Sequence, residues 1–197
     1  MKFVTDLSKG ILGNPDNSEM WSEIIDQIPD EYLLDKNVKI LNVACGHSTE
    51  AKEVIKRMRS LGVSAQEAND RVTVLDKYSE FTNAAKMAGF QNVVKTDFME
   101  WKTDMKFDVI LGNPPYQDPN NDKRMLWNQF CDKVDDLCAE DGIMALVTPI
   151  TWLRANSNIH NSYKLFENNQ VLKAVVYQNG NTPVSYTHLR AHETRGN

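Results

Sequence analysis

The chain is 197 residues long, 41% hydrophobic and 25% charged, with a formal net charge of −5. That is the composition of a soluble globular domain large enough to bury a sizeable core, and no apolar run approaches the length of a membrane span. Three cysteines without a CxxC pair, and a first stretch Met1–Asp6 unlike a signal peptide, point to a reduced, cytoplasmic setting and against a zinc site.

Gly10, Gly13 and Pro15 break up residues 1–16. Asn17 or Ser18 caps a predicted helix whose Met20, Trp21, Ile24, Ile25 and Ile28 fall at helical spacing, and Pro29 stops it. Val38–Val43 reads as a buried strand that runs into the small-residue turn Ala44-Cys45-Gly46-His47-Ser48. Ser48 or Thr49 caps the next helix, with a stripe at Ala51, Val54, Ile55, Met58 and Leu61 and a terminator at Gly62. Lys52, Lys56, Arg57 and Arg59 form its solvated face. Residues 63–71 read as a loop, Val72–Leu75 as a second strand ending at Asp76, and the Phe81, Ala84, Ala85, Ala88 pattern as a helix closed by Gly89.

Asn92–Lys95 is a third strand, followed by Thr96-Asp97-Phe98. Phe107–Leu111 is a fourth, running through Gly112 into Asn113-Pro114-Pro115-Tyr116, where two prolines can neither pair in a sheet nor start a helical turn. A helix is expected from about Lys123, burying Leu126, Phe130, Val134, Leu137 and Cys138 and stopping at Gly142, with Cys131 and Cys138 as core residues on it. Ile143–Val147 makes a fifth strand, residues 157–168 a helix, and Leu172–Tyr177 a sixth strand.

This alternation implies an α/β fold with a mostly parallel sheet covered by helices on both faces. In such sheets ligands sit beyond the carboxyl ends of the strands, and Gly46, Asp76, Asp97 and Asn113 each follow a predicted strand. The Ala44-Cys45-Gly46 turn lets backbone approach a ligand, and the helix behind it offers free N–H groups to an anion. Asp76 is placed for ribose hydroxyls, Asp97 for an exocyclic amine, and Phe98 for an adenine face. Together they describe a nucleoside-containing cofactor. Asn113 and Tyr116 supply an amide and a stacking ring on a rigid loop for a flat polar ligand.

The motifs resemble those of Rossmann-like amino-methyltransferases that use S-adenosylmethionine, and specifically the gamma-class adenine-specific DNA methyltransferases of restriction–modification systems. The resemblance rests on Asn113-Pro114-Pro115-Tyr116 after the fourth strand, on Asn42-Val43-Ala44-Cys45-Gly46-His47-Ser48 at the cofactor position, and on Val147-Thr148-Pro149-Ile150-Thr151-Trp152-Leu153. It implies that Asn113, Pro114, Pro115 and Tyr116 handle the target adenine. Ala44, Cys45, Gly46, Asp76, Asp97 and Phe98 would hold the cofactor, and no metal is required. DNA is the implied partner, with a restriction nuclease as a further partner or fused domain. Amino methylation of rRNA or of a protein glutamine is the alternative activity, and a non-catalytic nucleic-acid-binding scaffold is the alternative class.

Three positions depart from the family pattern: Asn42 stands for an Asp, Val43 for a Pro, and Ser48 for a second Gly. The stretch Val184–Thr194 resembles a translated sequencing adapter. Residues 183–197 are therefore expected to be foreign to a methyltransferase domain spanning 1–182, whose last strands and DNA-reading domain would be missing and whose activity would be weak or absent. With that tail's +1 set aside (Arg190, Arg195, Glu193), the charge of −5 becomes −6, so contacts to nucleic-acid phosphates must be local.

Overall fold

The computed structural model describes residues 18–115, 117–118, 121–147, 174–178 and 182–186. Tyr116, the predicted 157–168 helix and most of the Val147–Leu153 segment lie outside the described residues. The chain divides into two compact units, Met1–Thr148 and Pro149–Asn197.

The first unit is built on a five-stranded parallel sheet. Its strands are β1 (Ile40–Val43), β2 (Val72–Asp76), β3 (Asn92–Lys95), β4 (Phe107–Gly112) and β7 (Cys138–Leu146), in the order β3-β2-β1-β4-β7. Strand order reverses between β1 and β4, the place where open α/β sheets leave a crevice for ligands. Strand residues alternate between two cores, as a period of two requires. Ile40, Val72, Val74, Val109 and Leu111 pack beneath α1 (Ser18–Ile25) and α3 (Thr49–Ser60) with Trp21, Val54 and Met58. Leu41, Val43, Leu75 and Ile110 face the other way, onto Phe130, Val134 and Leu137 of α6 (Trp127–Leu137). Each such fully buried side chain contributes about 1.5–3 kcal/mol, so the helices on both faces are held by the sheet rather than by helix propensity.

The structure corrects several sequence readings. Residues 63–71 are not a loop. Ala65–Arg71 form α4, whose N-cap Ser64 accepts a hydrogen bond from the Glu67 N–H at 3.2 Å. Buried Arg71 then donates to the carbonyls of Tyr32, Leu33 and Val38 (3.1, 2.8 and 3.2 Å), tying down a short α2 (Asp30–Leu34) with Pro29 at its N-cap, while the first helix ends earlier, at Ile25. The helix expected from Lys123 to Gly142 is shorter. Asn121–Met125 pair antiparallel with Gln117–Asp118 as β6 and β5, and β7 begins at Cys138, with an irregular register before Ile143. Cys138 therefore leaves the helix, while Cys131 remains a core residue of it. The three thiols are free, and burial pushes Cys131 up to about 12 and Cys138 up to about 11. α5 (Ser79–Met87) buries Phe81, Thr82 and Ala85, while Ala84 is exposed.

In the second unit the predicted sixth strand appears as β8 (Ala174–Gln178). It is not parallel: it pairs antiparallel with β9 (Thr182–Tyr186). β9 reaches into the adapter-like stretch.

Candidate active site

The turn after β1 is wound by three left-handed residues, Ala44 (φ 49°), Gly46 (φ 47°) and Ser48 (φ 58°). Gly46 adopts this freely, whereas Ala44 and Ser48 cost about 1–2 kcal/mol each. The strain is held in place by hydrogen bonds. The Cys45 N–H donates to the Leu75 carbonyl at 3.0 Å, the Ser48 N–H to the Cys45 carbonyl at 2.6 Å, and the Gly46 N–H to Asp76 Oδ2 at 3.0 Å. Asp76 Oδ1 accepts from the Tyr78 N–H at 2.9 Å. Asp76 is 5% exposed. Burial raises its carboxyl above the usual range, and the Tyr78 and Gly46 donors pull it back. The residue placed by sequence for ribose thus also clamps the turn. Cys45 contributes backbone and a small buried side chain; its thiol, pushed up to about 12 by burial, stays protonated at neutral pH.

Ser48 is the N-cap of α3 by position, yet its side chain caps nothing. Its hydroxyl lies toward the Cys45 thiol and makes no hydrogen bond of ordinary geometry. The first-turn N–H groups of α3 therefore receive no cap from Ser48.

Across the strand-order reversal, Val43 is in register with Gly112, so the acceptor loop starts directly beside the cofactor turn. A Cβ on Gly112 would stand 2.5 Å from Val43 Cγ2 and 3.0 Å from the Val43 carbonyl oxygen, so only glycine permits that approach. Asn113 follows, half-buried, and its Oδ1 is shielded from solvent with no hydrogen-bond partner. Leaving such an acceptor unpaired costs about 1–3 kcal/mol. Pro114 is buried and Pro115 half-buried.

The third corner is the loop after β3. Asp97 Oδ1 accepts from the Met99 N–H at 2.9 Å, and the Asp97 carbonyl accepts from Glu100 and Trp101. Phe98 is 3% exposed, its ring 4.8 Å from that of Phe130 in the core. Lys133 of α6 fastens the loop by donating to the carbonyls of Met99 (3.1 Å) and Trp101 (2.6 Å), with its ammonium 5.1 Å from the Phe98 ring centre.

The structure therefore brings Ala44, Cys45, Gly46, Asp76, Asp97, Asn113, Pro114 and Pro115 to one edge of the sheet and puts the Phe98 ring into the core beneath it. Four contributors were not singled out from the sequence. Gly112 sets the approach of the two loops and Lys133 closes the Asp97 loop. Tyr78, half-buried beside Asp76, stacks edge-on with Phe81, which also meets His47. Glu50 is buried behind the turn. An aromatic two residues after a strand-end Asp was a visible signal; the other three depend on tertiary contacts. Buried, unpaired Asn42 Oδ1, Ser48 Oγ and Asn113 Oδ1 around a strained turn fit a polar group with hydrogen-bond donors, which the amino-acid and adenine parts of S-adenosylmethionine provide.

The sequence profile of the Eco57I restriction-modification methylases matches residues 32–183. The chain belongs to that family. Among its relatives, the type II methyltransferase M.CvrRI of Paramecium bursaria Chlorella virus XZ-6E is 30% identical over 132 residues, 59% of this chain and 31% of the relative. The modification methylase CviBIII of Paramecium bursaria Chlorella virus NC1A is 32% identical over 125 residues, 57% and 31% respectively. An uncharacterized adenine-specific methylase of Mycoplasma pneumoniae is 37% identical over 76 residues, 36% and 17%. This Eco57I-family chain thus spans about a third of the length of its viral relatives. In three dimensions it resembles a class I S-adenosylmethionine-dependent methyltransferase from Listeria monocytogenes (TM-score 0.61, 16% identity, 88% of this chain and 55% of that one). It also resembles the ribosomal protein L11 methylase of Lactobacillus delbrueckii (TM-score 0.55, 16% identity, 85% and 75%). The restriction–modification methylase family and the Rossmann-like fold read from the sequence are borne out.

Proposed function

We propose that this chain carries the catalytic core of a DNA adenine methyltransferase, which moves a methyl group from S-adenosylmethionine to the exocyclic N6 of a flipped-out adenine. The observation that carries the reading is the shielded, unpaired Asn113 Oδ1, one residue past the end of β4, whose last residue Gly112 is in register with Val43 beside the cofactor turn. An exocyclic amine is a poor nucleophile because its lone pair is delocalised into the ring. Asn113 Oδ1 and the Pro114 carbonyl each accept one N–H and draw the nitrogen toward tetrahedral geometry. Both acceptors lie on a stiff Pro-Pro backbone, so catalysis comes from positioning and oriented dipoles. The bound cofactor supplies an electrophilic methyl group on a sulfonium. The nitrogen's displaced proton passes to water, since a neutral amide and a carbonyl are too weakly basic to keep it.

The turn Ala44-Cys45-Gly46 and the N-terminus of α3 take the amino-acid end of the cofactor, Asp76 the ribose, and Asp97 the adenine amine, with Phe98 and Lys133 fixing the Asp97 loop. Tyr116 offers a ring for the extruded base, whose flipping costs a few kcal/mol. DNA is the substrate polymer under this reading, and a restriction nuclease acting at the same sequence is the matching partner.

The test is a single-turnover reaction with excess protein, methyl-labelled S-adenosylmethionine and duplex DNA, followed by digestion to nucleosides. Label in N6-methyladenine, lost in Asn113→Ala with cofactor binding retained, supports the reading. Label in cytosine or in protein, or undiminished transfer by the variant, overturns it.

A further inference from the structure

Three polar side chains are buried between β1, β2 and α3: Asn42 (0% exposed), Asp76 (5%) and Glu50 (6%). Asp76 is accounted for by the two N–H groups it accepts. The other two are not. Asn42 occupies the sheet face it shares with Ile40 beneath α3. Its Nδ2 donates at 3.4 Å to the Leu111 carbonyl and also lies toward the Glu50 carboxyl, and its Oδ1 has no partner. Glu50 sits in the first turn of α3 and has no ion pair among the described residues. Its charge is supported by its own N–H and the Asn42 amide, and opposed by burial and by Asp76. Lys52, the nearest lysine on its helix, is exposed and donates to the His47 carbonyl at 2.8 Å. A carboxyl placed this way is destabilising until a cation joins it.

We propose that Glu50 and Asn42 form the seat for a primary ammonium group, the α-ammonium at the amino-acid end of S-adenosylmethionine. This deepens, and rests on, the cofactor reading above. The chemistry is complementary. An ammonium has three donors and no acceptor, and this corner offers the buried Glu50 carboxylate together with Asn42 Oδ1 and Ser48 Oγ, which have no hydrogen-bond partner. The adjoining N–H groups at the start of the twelve-residue α3 complement the carboxylate of the same amino acid, so a zwitterion meets opposite partial charges at both ends. Asn42 also stands where the family pattern has an acid. Glu50, eight residues later, returns the missing charge from the helix instead of the strand.

A cation bound here holds Glu50 ionised. Burial leaves the empty carboxyl at about 7, so binding at pH 7 releases a proton from part of the population. Affinity then falls as pH drops below 7, and falls again at alkaline pH once the ligand's own α-ammonium loses its proton. The titratable groups facing Glu50 are Asp76 on β2, Lys52 on α3 and Cys45 on the turn. The Cys45 thiol stays neutral throughout.

The test is titration calorimetry of the chain at pH 7 in phosphate and in Tris, whose ionisation enthalpies differ. Three ligands are compared: S-adenosylmethionine, S-adenosylhomocysteine and 5′-methylthioadenosine, which lacks the amino-acid end. Proton release with the first two and none with the third supports the proposal without any variant. Glu50→Gln is expected to abolish the release and weaken the first two by about 10–100-fold, leaving 5′-methylthioadenosine unchanged. Release confined to S-adenosylmethionine assigns the sulfonium instead and overturns the proposal. Wild-type binding without proton release, or a Glu50→Gln protein with unchanged affinity, also overturns it while leaving the cofactor reading intact. No heat with any of the three at millimolar concentration overturns both.

Discussion

Gly112→Ala is the substitution for which the geometry gives the clearest number. The new Cβ would stand 2.5 Å from Val43 Cγ2, where a methyl–methyl contact needs about 3.5–4.0 Å. Val43 is fully buried and β-branched, so it has no alternative rotamer to retreat into, and its carbonyl is 3.0 Å away on the second side. The strands must separate by about 1 Å at the point where the cofactor turn and the acceptor loop leave the sheet. Overpacking of this kind costs about 1–3 kcal/mol, and each kcal/mol lowers Tm by roughly 2–4 °C in a chain of this size. A misplacement of about 1 Å in the reacting groups costs on the order of 10²-fold in rate. Urea unfolding followed by circular dichroism reads the first effect, and single-turnover methyl transfer reads the second. A variant with unchanged midpoint and unchanged transfer would refute the idea that this glycine sets the loop-to-loop approach.

Ser48→Gly relieves a left-handed non-glycine residue and removes a buried unpaired hydroxyl, so the urea midpoint should rise by an amount worth about 0.5–1 kcal/mol, with the slope unchanged. Glu50→Gln should stabilise the ligand-free chain by up to about 3 kcal/mol at pH 8. The folded carboxyl is raised toward 7, so the wild-type penalty is complete above that pH and fades as pH falls through 7 toward the ordinary carboxylate range. Equal stabilisation at pH 4 and pH 8 contradicts this assignment. Lys133→Met leaves two carbonyls without their donor and should cost about 1–3 kcal/mol, with faster amide exchange at Met99 and Trp101.

The parallel sheet was legible because its strands are short apolar runs ended by turn residues. Ile40–Val43, Val72–Asp76 and Phe107–Gly112 carry side chains for both cores, which makes them mostly hydrophobic on both faces rather than alternating. The same rule hid α4. Its polar AQEANDR sequence shows no helical stripe, and the Ser64–Glu67 spacing was the signal that had to be trusted. The long helix drawn through Cys138 failed for a related reason: short apolar runs do not reveal whether they continue a helix or begin a strand. At the site, motif spacing located the strand ends but not what lies behind them. Glu50 reads from sequence as an ordinary acid at a helix N-terminus, and only the fold shows it buried without a cation. Phe98 reads as a free aromatic beside a cofactor, and only the fold shows its ring against Phe130.

The central claim is that the crevice between β1 and β4 holds S-adenosylmethionine on one side and an adenine amine on the other. Calorimetric titration of S-adenosylmethionine into the chain and into Asn113→Ala tests it most directly. The account predicts one binding site in each protein with affinities within a few-fold, because Asn113 touches the acceptor and not the cofactor. Absence of heat at millimolar cofactor, or loss of binding in the variant, would contradict it.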